Sequence, residues 1–105
     1  MKKKNTDIFG ALADPNRRQI LLLLSAGMLT ITALVEKFEV SRPAISKHIK
    51  VLEENNLVKV TDQGRERYCA LEHQGFRELQ DWLKFYENFW AEKLNNLENY
   101  ITKNL

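Results

Sequence analysis

Ser41-Arg42-Pro43-Ala44-Ile45-Ser46-Lys47-His48-Ile49-Lys50-Val51-Leu52-Glu53 is the stretch on which the reading of this 105-residue chain turns. Ile45, Ile49 and Leu52 recur at i, i+4 and i+7, a narrow apolar stripe of helical period. Arg42, Ser46, Lys47 and Lys50 fall on the other side, with no acid among them. Ser41 suits an N-cap, and Pro43 is tolerated in a first helical turn. The segment therefore predicts a helix over about 41–54. Hydrogen-bonding and cationic groups at the N-terminal end of a short helix suit the DNA major groove.

Working outward, Thr30 to Phe38 predicts the preceding helix, with Ile31, Leu34, Val35 and Phe38 on one stripe. Glu39-Val40 leaves only a tight turn between the two, which is a helix-turn-helix arrangement. Further upstream, Asp14-Pro15 restarts the chain, Asp as N-cap and Pro at the first helical position. That helix runs to about Ser25, and Gly27 stops it. Its run Ile20-Leu21-Leu22-Leu23-Leu24 is apolar almost all round and is expected at the centre of the core. Thr6 to Ala13 reads as a short first helix. Downstream, Leu57 to Thr61 and Glu66 to Leu71 are rich in β-branched or aromatic residues. Asp62-Gln63-Gly64-Arg65 lies between them, with Gly available for a left-handed turn position. A two-stranded hairpin over about 57–71, with a polar and basic tip, is expected. Hairpins are marginal alone, so it must pack on the helices. The fold class is mainly α, a winged helix-turn-helix.

The last helix is expected over about 74–101. Leu79, Leu83, Tyr86, Trp90, Leu94, Leu97 and Ile101 are spaced 4, 3, 4, 4, 3 and 4 residues apart, and Phe76, Trp82, Phe85 and Phe89 widen the stripe. At ~1.5 Å per residue it is roughly 40 Å long, more than a domain of this size covers. Exposed apolar patches of this kind mark interfaces. A dimer is expected, with Phe9, Leu12, Trp82, Tyr86, Phe89, Trp90, Leu94, Leu97 and Ile101 at the seam. Phe76 and Leu79 are expected in the core of the single chain. The competing reading places all the aromatics there.

Length and composition fit one domain, residues 1–105, of ordinary globular character. Residues 1–71 hold 12 Lys/Arg against 8 Asp/Glu, and residues 72–105 hold 4 against 6. The basic part is the better candidate for meeting a polyanion. Lys2 to Lys4 read as a frayed tail, with phosphate contact as the alternative. The single cysteine, Cys69, forms no internal disulfide. Met1-Lys2-Lys3-Lys4 runs into Asn5-Thr6-Asp7 and does not read as a signal peptide, and the sequence has no 18-residue apolar run. A reducing, cytoplasmic setting is the default. No phosphate-loop glycine pattern, no H-E-x-x-H and no Cys/His/Asp set argues for an enzyme. Cys69, in a wing strand, is expected as a buried structural thiol, with redox sensing as the alternative.

Phosphate contacts position a protein on DNA, and base-edge contacts specify sequence. Arg42 is the first candidate for base reading, since its fork matches guanine O6 and N7; a phosphate contact is the alternative. Pro43, in the same turn, disfavours helical backbone at Arg42. Ser46 and Lys47 are expected to make mixed base and phosphate contacts, and Lys50 a phosphate contact. Ser41 is a contact or only a cap. His48 sits beside the apolar stripe, where packing or a phosphate contact is expected. Arg65 at the wing tip suits a narrow minor groove. Arg67 is the second wing candidate, against pairing with Glu66 or Asp62. Arg17 and Arg18 read as solvated residues opening a helix.

With its elements in this order the chain resembles the ArsR family of bacterial winged-helix repressors. The residues that carry the resemblance are Ala11-Leu12-Ala13-Asp14-Pro15-Asn16-Arg17-Arg18-Gln19-Ile20-Leu21 and the run from Val40 to Leu52. Leu57-Val58 and the hairpin around Gly64-Arg65 continue it. The resemblance implies a homodimer that binds double-stranded DNA at a palindromic operator and represses its own or a neighbouring operon. Family members frequently sense metals. One family site uses a C-x-C pair where this chain has Thr30 and Thr32, and hydroxyls are poor ligands for soft metals. Another uses Asp and His on the last helix, where this chain has only His73. No metal and no cofactor is therefore expected, and the effector is left open. Two other readings remain: a ligand-, redox- or metal-gated sensor on the same scaffold, and a helical protein-interaction dimer without specific DNA binding.

Overall fold

Every helix begins on a side chain that accepts hydrogen bonds from its own first turn, so the polar residues that break the apolar pattern also set the element boundaries. The computed structural model describes residues 7–104. Its elements are α1 (Ile8–Ala13), α2 (Pro15–Leu24), β1 (Leu29–Thr30), α3 (Ile31–Glu36), α4 (Arg42–Glu54), β2 (Val58–Gln63), β3 (Glu66–Leu71) and α5 (His73–Lys103). Asp7 caps α1, Asp14 caps α2, Thr30 caps α3, Ser41 caps α4 and Glu72 caps α5. Thr6, expected to open the first helix, and Lys2 to Lys4 lie outside the described residues.

The core is drawn from α1, α2, α3, α4 and the hairpin. Ile20, Leu34, Ile45, Leu52, Leu57, Val58 and Cys69 are its largest fully buried side chains. The expectation that the Ile20–Leu24 run is buried all round needs correction. Ile20, Leu21 and Leu24 are buried, but Leu22 is 64% exposed, because only one face of α2 meets α4 and β3. The expected two-stranded hairpin is part of a three-stranded antiparallel sheet of order β1-β3-β2. β1 contributes two residues, Leu29 opposite Cys69 and Thr30 opposite Tyr68. The β2–β3 register runs from Val58 opposite Leu71 to Gln63 opposite Glu66. The turn is thus two residues, Gly64-Arg65, and Gly64 takes φ +64°, which costs glycine nothing.

The end of α4 is a Schellman motif with asparagine in place of the usual glycine. Asn56 sits at φ +59°, its N–H donates to Glu53 O at 3.1 Å, and Leu57 N–H donates to Leu52 O at 3.0 Å. This turn sends the chain into β2 and also receives α5. Gly75 N–H donates to Asn56 O at 2.8 Å. A Cβ on Gly75 would lie 2.7 Å from both Asn55 O and Asn56 O. Only glycine lets the two backbones meet this closely.

From that joint α5 runs 31 residues. Phe76 and Leu79 pack against the core, as expected. Beyond them every residue through Asn104 is exposed. Phe9 of α1 packs edge-on against Trp82 with ring centroids 4.9 Å apart, and Trp82 is 4.9 Å from Tyr86. Leu12 differs from Phe9: it is half-buried against the core, so within one chain it already has a packing role.

Candidate nucleic-acid interface

The two faces of α4 separate cleanly. Ile45, Ile49, Val51 and Leu52 are buried, while Ser41, Arg42, Pro43, Ser46, Lys47 and Lys50 are all exposed. Arg42 is the first helical residue although it precedes proline. That position tolerates the pair because first-turn N–H groups have no intrahelical partner to lose. Ser41 Oγ accepts from Ala44 N–H at 3.3 Å, so its hydroxyl is engaged as a cap. The Arg42 guanidinium reaches across to α3, where Nη1 and Nη2 donate to Thr32 Oγ1 at 3.3 and 3.2 Å.

His48 turns away from this front. Its Nδ1 accepts from Arg17 Nη1 at 3.1 Å, and the residue is half-buried. A guanidinium only donates, so the contact requires a lone pair on Nδ1 and places the imidazole proton on Nε2. Arg17 also donates through Nε to Ala11 O at 2.7 Å and through Nη2 to Gly10 O at 3.2 Å. Arg18 Nη1 donates to Leu12 O at 2.7 Å and to Ala13 O at 3.0 Å. These are the last four carbonyls of α1, which a helix leaves without internal partners. The reading of Arg17 and Arg18 as merely solvated is therefore corrected. They cap the C-terminus of α1, and Arg17 ties that end to α4. The available signal was two arginines in the first turn after an abrupt helix restart, within reach of the end just left.

Asp14 shapes the same corner. Burial alone would raise its carboxyl, but the backbone N–H groups of Arg17 and Asn16 outweigh it and hold the group below the usual carboxylate range. Its Oδ1 accepts from Asn16 N–H at 2.8 Å and from Arg17 N–H at 3.3 Å.

In the wing, Arg65 sits exposed in the two-residue turn. Arg67 is paired within the hairpin: its Nε donates to Asp62 Oδ1 at 3.0 Å, directly across the ladder. The competing reading of Arg67 thus has its partner, and only the terminal guanidinium nitrogens stay available. A groove separates α4 from the wing, lined by Ile31, Ser46, Ile49, Lys50, Glu53, Val60 and Arg67. It brings Ser46 and Lys50 of the helix face beside Arg67 of the sheet.

Cys69 is fully buried in β3, and burial together with the nearby Glu53 carboxylate pushes its thiol up to about 11. A thiol so rarely ionised is a poor nucleophile, which argues for the structural role over the redox one. Thr30 Oγ1 accepts from Ala33 N–H at 3.0 Å, and Thr32 Oγ1 is taken by Arg42. His73 is exposed, its Nδ1 3.4 Å from Glu72 Oε1. Among the described residues no group of three or more His, Cys, Asp or Glu side chains is placed to hold a metal ion. Among them, too, no helix is long and apolar enough to cross a membrane.

Residues 14–60, the span from the Asp14 cap through β2, match the family model of bacterial regulatory proteins of the arsR family. The chain is 39% identical over 72 residues to the arsenical resistance operon repressor of Staphylococcus xylosus, covering 69% of each protein. It is 36% identical over 91 residues to the HTH-type transcriptional regulator Rv2034 of Mycobacterium tuberculosis, covering 87% of this chain and 82% of that one. Among solved structures it is similar to an ArsR family transcriptional regulator at 39% identity and a TM-score of 0.74, over 80% of this chain and 87% of that one. The winged-helix fold, the matched motif and these relatives together make the chain a DNA-binding transcriptional regulator rather than an enzyme, and it belongs to the arsR family.

Proposed function

We propose that the chain is a homodimeric repressor that binds a two-fold-symmetric operator, with α4 in the major groove and the β2–β3 hairpin against the flanking duplex. The observation that carries this is the front of α4: from Ser41 to Lys50 it is exposed, acid-free and rich in donors. Arg42 is the base reader, Ser46 and Lys47 contact bases and phosphates together, and Lys50 meets phosphate. Ser41 and Pro43 shape the turn that brings Arg42 forward. His48, held by Arg17, supports the helix from behind. Arg65 reaches the minor groove, and the paired Arg67 contributes at most a backbone contact beside Lys50.

The second copy is called for by α5. Trp82, Tyr86, Phe89, Trp90, Leu94, Leu97 and Ile101 are each 42–62% exposed on one helix. Burying apolar surface stabilises by about 25 cal/mol per Å², so pairing these faces is favourable. A symmetric dimer places its two reading helices about 34–36 Å apart, in successive major grooves.

The test is binding to the duplex upstream of the chain's own gene at about 0.15 M salt, against scrambled competitor. A dissociation constant of order 10⁻⁸ to 10⁻¹¹ M and clear preference are expected. Equal binding to both duplexes overturns the repressor reading. Lys50→Ala should reduce the salt slope of binding by about one unit while lowering affinity evenly across sequences.

A further inference from the structure

We propose that Thr32 is a positioning residue for Arg42: its hydroxyl holds the guanidinium from behind and decides which edge of it meets a base. This rests on Arg42 being the base reader proposed above.

The geometry is specific. One oxygen, Thr32 Oγ1, lies almost equally far from Nη1 and Nη2, at 3.3 and 3.2 Å. It therefore sits at the end of the fork, between the two terminal nitrogens. The guanidinium carries five N–H donors in a fixed plane. With the end occupied, the side edge formed by Nε and its neighbouring Nη is left as a parallel pair of donors. A parallel pair is what guanine O6 and N7 accept.

The anchor is stiffer than what it holds. Thr32 is β-branched, with restricted χ1. Its helix is fixed by Ile31 and Leu34, both buried, on either side of it in sequence. Arg42 is exposed at the first position of α4, where a free arginine samples many rotamers. Ordering such a side chain on binding is costly, and Thr32 removes part of that cost before DNA arrives. Thr32 belongs to the first helix of the helix-turn-helix pair and has no charge. It acts on recognition through Arg42 and not by its own contact with the duplex.

The experiment compares wild type, Thr32→Val, Thr32→Ser, Arg42→Ala and the double variant Thr32→Val/Arg42→Ala. Each is titrated with the footprinted upstream duplex and with duplexes carrying single base-pair changes. Valine keeps the shape and removes the hydroxyl; serine keeps the hydroxyl. Thr32→Val is expected to lose about three- to tenfold in discrimination, the range of one modest hydrogen bond, at the same base pair where Arg42→Ala loses its own. Thr32→Ser is expected to retain it, and the double variant to match Arg42→Ala alone. Melting temperature and salt slope should not move, since Thr32 is exposed and contacts no phosphate. An even loss by Thr32→Val on all duplexes, or a further loss in the Arg42→Ala background, overturns the proposal while leaving the base-reading role of Arg42 intact. Unchanged discrimination in Arg42→Ala overturns that role, and the inference with it. In the free protein, the Arg42 Nε–H should be more ordered by nitrogen relaxation than in Thr32→Val; equal disorder in both also overturns the proposal.

Discussion

Arg17 uses each of its three guanidinium nitrogens. It serves Ala11 O, Gly10 O and His48 Nδ1 at once, on two helices. Arg17→Ala leaves two part-buried carbonyls and an imidazole nitrogen without donors, and should destabilise by about 1–3 kcal/mol in urea unfolding. Arg17→Lys should recover little, because an ammonium lacks the planar fork that reaches three acceptors. Cys69 gives a prediction with a pH signature. Its thiol titrates at about 11 in the fold against an ordinary value of 9.0. The folded chain thus keeps its proton longer than the unfolded one. Stability from this group is complete below pH 9 and declines as pH rises toward 11. The loss should be visible in thermal melts and absent in Cys69→Ala. A thiol-reactive dye at pH 8 should label Cys69 only as fast as the chain opens. The two arginines after the Asp14-Pro15 restart were a signal for the work of Arg17 and Arg18, but not one that names their acceptors. Their partners are carbonyls of the preceding helix, and only the corner at Asp14 brings donor and acceptor together. Cys69 was easier, since it is a small apolar side chain in the middle of a strand that packs on the helices.

Helix boundaries were legible where a cap or a proline stands in the chain. Ser41 and Asp14 begin helices where the sequence places them, and α5, His73–Lys103, extends the expected span of about 74–101 by a few residues. β1 was not legible, because two residues carry no period and Leu29-Thr30 becomes a strand only by pairing with Cys69 and Tyr68. Leu22 misled for a related reason: an apolar run does not say which of its faces meets a neighbour. The joint between α4 and α5 was likewise hidden, since its contacts are backbone to backbone. Gly75→Ala tests that joint. The added methyl meets two carbonyl oxygens 2.7 Å away that belong to a hydrogen-bonded turn. A loss of about 1–3 kcal/mol is expected in chemical denaturation, as for overpacking at a tight site.

At the scale of the whole molecule, α5 gives the chain its long dimension of 68 Å against 34 and 23 Å. Past Leu79 the rest of that helix, residues 80–103, stays outside the core of one chain. Leu94→Glu with Leu97→Glu should therefore leave the helix signature and fold of the domain in place. Light scattering should show a shift toward monomer, and operator affinity should fall with it. A stable dimer in that double variant would move the seam elsewhere. That Ser41, Arg42, Ser46, Lys47 and Lys50 share one exposed front was legible, because amphipathicity sorts them to one side. Which of them is held, and by what, depended on α3 and α2 arriving beside α4.

The glycine joint has a consequence for distance along DNA. Gly75 and Leu97 are 22 residues apart on one helix, roughly 33 Å. A tilt of about 5° at the joint displaces the far contact by roughly 3 Å, close to the ~3.4 Å rise of one base pair. A hydrogen atom in place of a methyl at position 75 thereby acts as the zero mark of a ruler. In the dimer proposed above, that contact bears on how far apart the two α4 helices stand, and Gly75→Ala is expected to shift the half-site spacing that binds best.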